Sequence, residues 1–342
     1  MTPTPPLMSR RSALMSFAGA ACAGLAACGR APVAVLDPLP SWNDGAAKRA
    51  ILHFADAVGA VNGMPADERI AVFDNDGTLW TEQPIYIEAQ FTLDRARQML
   101  REEPSLAANP PFAALASAGE SLSSLDAQAL GALAMATHAN SDPEGMEAQV
   151  RAWLETARHP RFGVPYTQCI YQPMLEVLRL LRGRQFKTFI VSGGGVDFIR
   201  AFAQATYGVP PEQVIGSSGG YHYEMRGGAG IVMKTPEPGS VDDGAGKPQN
   251  IALHIGRRPL AAFGNSDGDL EMLQYVSTGS GARLALLVHH DDASREYAYD
   301  RDSEVGRLSV ALDEAAQRGW TVVSMKQDWR TIFPAAPRGP GI

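Results

Sequence analysis

The sequence predicts an α/β fold, a parallel sheet covered on both faces by helices. Three observations lead there. Short apolar runs of strand length alternate with segments of helical spacing over most of the chain. Three of those runs lead into polar residues, Asp74, Ser192 and Asn265, as a buried strand does when it emerges at a sheet edge. Between about residues 85 and 160 the alternation stops and helical character alone remains.

The elements follow in chain order. A helix is expected over Ala46 to Gly59, with Ile51, Phe54, Ala55 and Val58 on one face. Arg69-Ile70-Ala71-Val72-Phe73 reads as a buried parallel strand entering Asp74. The next stretch repeats apolar residues at Ile87-Phe91-Ala96-Met99 and at Met146-Val150-Trp153-Leu154, punctuated by Pro104, Pro110 and Pro111. It predicts several helices forming an inserted module. A helix over Gln172 to Arg182 leads to a strand over Phe186 to Val191, then to Ser192-Gly193-Gly194-Gly195 and a helix through Phe198 to Tyr207. Val214-Ile215 is a short strand, and Tyr221 to Lys234 a hairpin around Gly227-Gly228. Pro259 to Phe263, Leu284 to Val288 and Thr321 to Val323 complete the strands. In an open parallel sheet, ligands bind at the carboxyl ends of the strands. That rule gathers Asp74, Ser192 and Asn265 on one rim.

Composition narrows the function classes. The chain has 342 residues, 45% hydrophobic and 20% charged, enough apolar content for a large core. A net charge of −7 argues against a nucleic-acid binder, which carries a basic excess. The first residues carry a targeting signal. Ser9-Arg10-Arg11-Ser12 is followed by an uncharged run to Ala27, short for a bilayer span. The arginine pair resembles a twin-arginine export signal. Leu25-Ala26-Ala27-Cys28 resembles a bacterial lipobox, with Cys28 as the lipidated residue; the alternative is a plain cleaved signal. The expectation is an exported bacterial protein, periplasmic or anchored through Cys28, with residues 29–45 as a linker. Of the three cysteines, Cys22 would leave with the signal and Cys28 would be lipidated, so Cys169 would stand alone as a buried packing residue.

The chemistry concentrates in Asp74-Asn75-Asp76-Gly77-Thr78-Leu79. Two carboxylates two residues apart follow a strand, and a glycine lets the chain turn away. A phosphate ester repels attackers by its own charge. A carboxylate can attack it only if a cation shields that charge and the leaving oxygen is protonated. Asp74 suits the nucleophile, giving an aspartyl-phosphate, and Asp76 the acid and base. A calcium loop is excluded, because the fifth and sixth places counted from Asp74 hold Thr78 and Leu79. Ser192 and the N–H groups beside it suit phosphate oxygens at a helix N-terminus. Lys247 could offset charge, although Gly246-Lys247-Pro248 lacks the Walker spacing. Phe263-Gly264-Asn265-Ser266-Asp267-Gly268-Asp269 ends another strand in oxygen ligands of the kind that suit magnesium. His289-His290-Asp291-Asp292 reads as a solvated loop after a strand. Trp80, Tyr86 and Phe91 could line a pocket, but core packing is the commoner use of such residues.

Together, these four segments resemble the haloacid dehalogenase superfamily in its phosphatase branch, with a layout similar to the phosphoserine phosphatases. The likeness spans Phe73 to Leu273. It implies a Rossmann-like three-layer core, residues 46–82 and 166–335, with a helical cap, residues 83–165, inserted after the first strand. It implies Asp74 as nucleophile and Asp76 as acid and base. It implies magnesium at Asp74, Asp76, Asn265 and Asp269, and substrate phosphate at Thr78, Ser192, Gly193 and Lys247. The expected partner is a small phosphorylated substrate, with no nucleic acid and a membrane only through Cys28. One departure stands out: relatives often have aspartate where this chain has Asn265, and Asp267 is an extra carboxylate nearby. The alternatives are a dehalogenase, which the acid at Asp76 argues against, and a non-catalytic lipoprotein that binds a phosphorylated ligand.

Overall fold

The computed structural model describes residues 36–60, 63–118, 127–139 and 141–334. The chain divides into two units, Met1–Asp37 and Pro38–Ile342. The export signal, the lipobox at Cys28 and residues 29–35 of the expected linker lie outside the described residues. The rest of that linker is no free tether. Leu39 and Trp42 are fully buried in the second unit, and Trp42 packs edge-on against Trp329 at 6.0 Å. Among the described residues no helix is long and apolar enough to cross a membrane.

Helix α1 (Ala46–Gly59) precedes strand β1 (Ile70–Phe73). The expected helical stretch comprises α2 (Ile87–Glu102), α3 (Phe112–Ala118), α4 (Ala127–His138) and α5 (Pro143–Thr156). Then come α6 (Gln172–Gly183), β2 (Lys187–Gly195), α7 (Val196–Tyr207) and β3 (Val214–Ser217). The hairpin is β4 (Gly219–Arg226) and β5 (Ala229–Pro238). The chain continues through α8 (Gly246–His254), β6 (Ala261–Gly264), α9 (Leu270–Ser277), β7 (Leu284–Asp291) and β8 (Ala298–Tyr299). It ends with α10 (Val310–Arg318), β9 (Thr321–Ser324) and α11 (Met325–Asp328).

The parallel strands lie in the order β3-β2-β1-β6-β7-β9, with β8 antiparallel to the end of β7. The direction of winding reverses between β1 and β6, which opens a crevice at their carboxyl ends. Register makes that crevice specific. Phe73 pairs with Phe263, and their rings stack at 4.2 Å, so the residues after each strand emerge side by side. The sheet alternates its side chains between two cores. Ala71, Phe73, Ala261, Phe263 and Leu286 face the layer of α1, α6 and α7. Val72, Ala262, Ala285 and Leu287 face α9 and α10. Strands buried on both faces are apolar throughout, which explains the short unbroken runs in the sequence.

Helices α2, α3 and α4 close a smaller core around Leu93, Ala96, Phe112, Leu115 and Leu133. The hairpin joins this module, with the Lys234 N–H donating to Ser141 O at 2.8 Å. Beside it the Lys234 ammonium pairs with Asp197, and both are buried. Cys169 is free and buried, as expected for a packing residue.

Candidate active site

Asp74 leaves β1 at the crevice, its N–H donating to Phe263 O at 2.9 Å. Gly77 then turns the chain with φ +71°, and a Cβ there would collide with the side chains of Asn265 and Glu82. Only glycine serves at this point.

Lys247 comes from the first turn of α8 and is 2% exposed. Its ammonium donates to Asp74 Oδ1 and Asp269 Oδ1, each at 2.7 Å, and to Val191 O at 3.0 Å. A lone lysine in a sequence is usually solvated; this one is the central cation of the site. Burial alone would push it down, but the charges of Asp269 and Asp74 outweigh that and hold it above the ordinary lysine value. Burial and the Asp269 charge push the Asp74 carboxyl up, against the pull of Lys247.

Asp76 lies two residues on. Its Oδ1 accepts from the Trp80 indole N–H at 2.7 Å. Burial raises its carboxyl, and that hydrogen bond opposes the rise. Trp80 is fully buried and stacks on Phe202 at 4.5 Å. It is therefore core packing with a second task, the orientation of Asp76. Phe91 is buried in the core, and Tyr86 is half-exposed, its oxygen accepting from the Gly306 N–H.

The remaining expected residues divide. Ser192 is buried on β2 beside Val191, and its Oγ accepts from the Gly194 N–H at 3.2 Å. Gly193 is exposed at the same edge. The glycines after Ser192 prolong β2 to Gly195 with a register shift, where the sequence suggested a turn from Ser192. Thr78 is fully buried, and its hydroxyl donates to Asn265 Oδ1 at 2.9 Å, which binds the loop to β6. Asp267 Oδ1 accepts from the Ser309 and Ala311 N–H groups, so its carboxylate caps α10. Asp269 Oδ2 accepts from the Asn265 and Ser266 N–H groups and fixes the turn that aims Oδ1 at Lys247.

Two carboxylates escaped the sequence reading. Glu82 accepts from Asn265 Nδ2 at 2.6 Å. Glu88, in the first turn of α2, accepts from the Gly195 N–H at 2.6 Å. It occupies the anion position before α7 that the sequence suggested for phosphate. Burial pushes both up to about 7. The available signal was only their closeness in sequence to Asp76; neither stands in a motif.

The expectation of a solvated loop at His289 to Asp292 is overturned. His290 and Asp292 are each 2% exposed, β7 runs to Asp291, and the His290 Nε2–H donates to Gly77 O at 2.8 Å. The strand end is folded under the Asp74-to-Leu79 loop.

A family model for haloacid dehalogenase-like hydrolases matches residues 71–274. The chain belongs to that family. The match runs from β1 through α9 and so contains Asp74, Asp76, Ser192, Lys247, Asn265 and Asp269. No curated protein sequence matches the chain. Among solved structures it is similar to a conserved protein of unknown function from Anaerococcus prevotii DSM 20548. That likeness has 15% identity and a TM-score of 0.53, over 83% of this chain and 94% of the other. It shows the fold. A phosphoserine phosphohydrolase-like protein from Francisella tularensis subsp. tularensis SCHU S4 is similar at 12% identity and a TM-score of 0.36, over 73% and 98%.

The residues present fit the magnesium that such a hydrolase implies. Asp74 and Asp269 already converge on one cation, and each offers it a hard carboxylate oxygen. Among the described residues no three His, Cys, Asp or Glu side chains form a closed metal cage. Magnesium does not need one, since it is generally held by one or two carboxylates with water and substrate phosphate. A cleft of about 270 Å³ borders this rim, lined by Tyr86, Asp243, Ser266, Gly268, Glu304 and Arg307. A larger one, of about 430 Å³, lies between α2 and α5 and touches none of these groups. The chemistry, not the size, locates the site.

Proposed function

We propose that the protein is a magnesium-dependent phosphomonoesterase acting on a small phosphorylated substrate through an aspartyl-phosphate at Asp74. The observation that carries this reading is the pairing of Asp74 with Lys247 while Asp76, two residues away, is held by Trp80 with its carboxyl raised. The Asp74 carboxylate attacks phosphorus, and the bond to the ester oxygen breaks. Asp76 gives its proton to the departing alkoxide. A water then attacks the aspartyl-phosphate, Asp76 takes the proton of that water, and phosphate leaves with Asp74 restored. Lys247 stabilises charge on the transferring group by position, which is where catalysis of phosphoryl transfer mainly lies. Asp74, Asp269, the Asp76 carbonyl and Asn265 would hold magnesium, which would supply Lewis acidity and a template when bound.

Residues 83–165 act as a cap that limits the substrate to small esters and excludes bulk water. The arginine pair and the run to Cys28 support export, to the periplasm or to a membrane anchor, where such an enzyme would release phosphate from small esters. A haloacid would need no acid at Asp76, and a pure binder would gain nothing from a carboxylate set against phosphate.

The test is hydrolysis of p-nitrophenyl phosphate by the chain lacking residues before Arg30, with magnesium, with EDTA, and in Asp74→Asn. Magnesium-dependent phosphate release that falls at least about 10⁴-fold in the variant is expected. Release that persists in EDTA or in the variant would refute the mechanism. No release with any metal, alongside binding of a phosphorylated ligand, would favour the lipoprotein reading, and halide release from a haloacid the dehalogenase.

A further inference from the structure

Glu82 lies just beyond the Asp74-to-Leu79 loop and is 2% exposed. Its Oε1 accepts from Asn265 Nδ2 at 2.6 Å and from the Tyr299 hydroxyl at 2.7 Å. At the other end of the same amide, Asn265 Oδ1 accepts from the Thr78 hydroxyl at 2.9 Å. A hydroxyl donor on one side and a carboxylate acceptor on the other permit one orientation of the amide. Both side chains press on Gly77, where a Cβ would strike the amide nitrogen and the carboxylate together. The Glu82 charge thus faces the turn that carries Asp74 and Asp76.

This explains why residue 265 is an amide. An aspartate there would set two buried carboxylates at the 2.6 Å now occupied by a hydrogen bond, and neither could remain ionised without cost. The carboxyl group absent from residue 265 stands instead on its neighbour. On the other flank, Asp74 and Asp269 share the single ammonium of Lys247.

We propose that Glu82 and Asn265 work as one unit at the cation site, Asn265 contributing a neutral oxygen and Glu82 the charge and the orientation of the amide. Glu82 is a positioning residue that acts through Asn265. The proposal rests on the magnesium-dependent reading above.

Four proteins test it: wild type, Glu82→Gln, Asn265→Asp and the double variant. Magnesium binding is read by isothermal titration without substrate, and folding by the thermal midpoint. Glu82→Gln keeps an oxygen for the Asn265 and Tyr299 donors and removes only charge. It is expected to weaken magnesium binding about tenfold with little change in midpoint. Asn265→Asp opposes two carboxylates and lowers the midpoint. In the double variant the new amide donates to the new carboxylate, restoring both the bond and the net charge. Binding and midpoint should return to near wild type. Wild-type binding in Glu82→Gln, or a double variant that shows the sum of the single losses, overturns the proposal. Either result beside normal phosphatase turnover sinks this proposal alone. A completed rescue of magnesium binding without any turnover sinks the phosphatase reading alone.

Discussion

At the end of β1 the chain reads Asp74-Asn75-Asp76, and at the end of β7 it reads His290-Asp291-Asp292. Both are polar clusters at the carboxyl end of an apolar strand of the same sheet, and both are largely buried. Their carboxylates are used differently. Asp291 accepts from the Ser324 hydroxyl at 2.5 Å and the Lys326 N–H at 2.8 Å. Asp292 accepts from the N–H groups of Ser294 and Arg295, the Ser294 hydroxyl and the Arg295 guanidinium, and its carboxyl is held at about 2. Those oxygens are consumed in holding the loop. Asp74 instead faces an ammonium from a distant helix, and burial drives its carboxyl up rather than down. Acidic groups whose oxygens are taken up by fixed neutral donors and a neighbouring guanidinium are structural. Those left to a long-range cation are available for chemistry.

Removing that cation is the sharpest way to break the contrast. Lys247→Met leaves Asp74 and Asp269 opposed in a buried site. Turnover should fall about 10²–10³-fold or more, with a loss of stability of about 3–5 kcal/mol. Steady-state kinetics and calorimetry read the two, and unchanged turnover would remove Lys247 from the mechanism. Asp76→Asn keeps an acceptor for Trp80 and removes the proton. An expected loss of about 10²–10⁴ in kcat with a near-normal thermal midpoint would set it apart from Lys247→Met. Asp292→Asn should do the reverse, costing about 1–3 kcal/mol in denaturant unfolding while kcat stays near wild type. A well-folded but inactive variant would erase the distinction between the two strand ends.

The smallest effect sharpens a third case, Glu88, a carboxylate from α2 against the start of α7. Its carboxyl is raised from 4.5 to about 7 by burial. The folded state therefore holds the proton more tightly than the unfolded chain, and stability is lost as pH rises from about 4.5 through about 7. Glu88→Gln keeps an acceptor for the Gly195 N–H and removes the titration. It should leave the thermal midpoint unchanged at pH 4 and raise it by a few degrees at pH 8. An equal shift at both values would show that the charge is not the cause.

Local pattern was enough for the parallel sheet, the helices on its two faces and the loop at Asp74. An unbroken apolar run marks a strand buried on both faces, and an acidic turn after it marks the rim where ligands bind. The acidic segment after β6 stood out and made Asp269 a candidate, whereas Lys247 became one only in company with the other three segments. Tertiary structure alone decided what each polar atom faces. It turned Thr78 toward Asn265, gave Asp267 to α10, buried His290 under Gly77 and brought Glu82 to the amide of Asn265. A polar side chain's role depends on which donors and acceptors the fold delivers to it from far along the chain. Residues such as Glu82 and Asn265, 183 positions apart, share no local signal that could announce the contact.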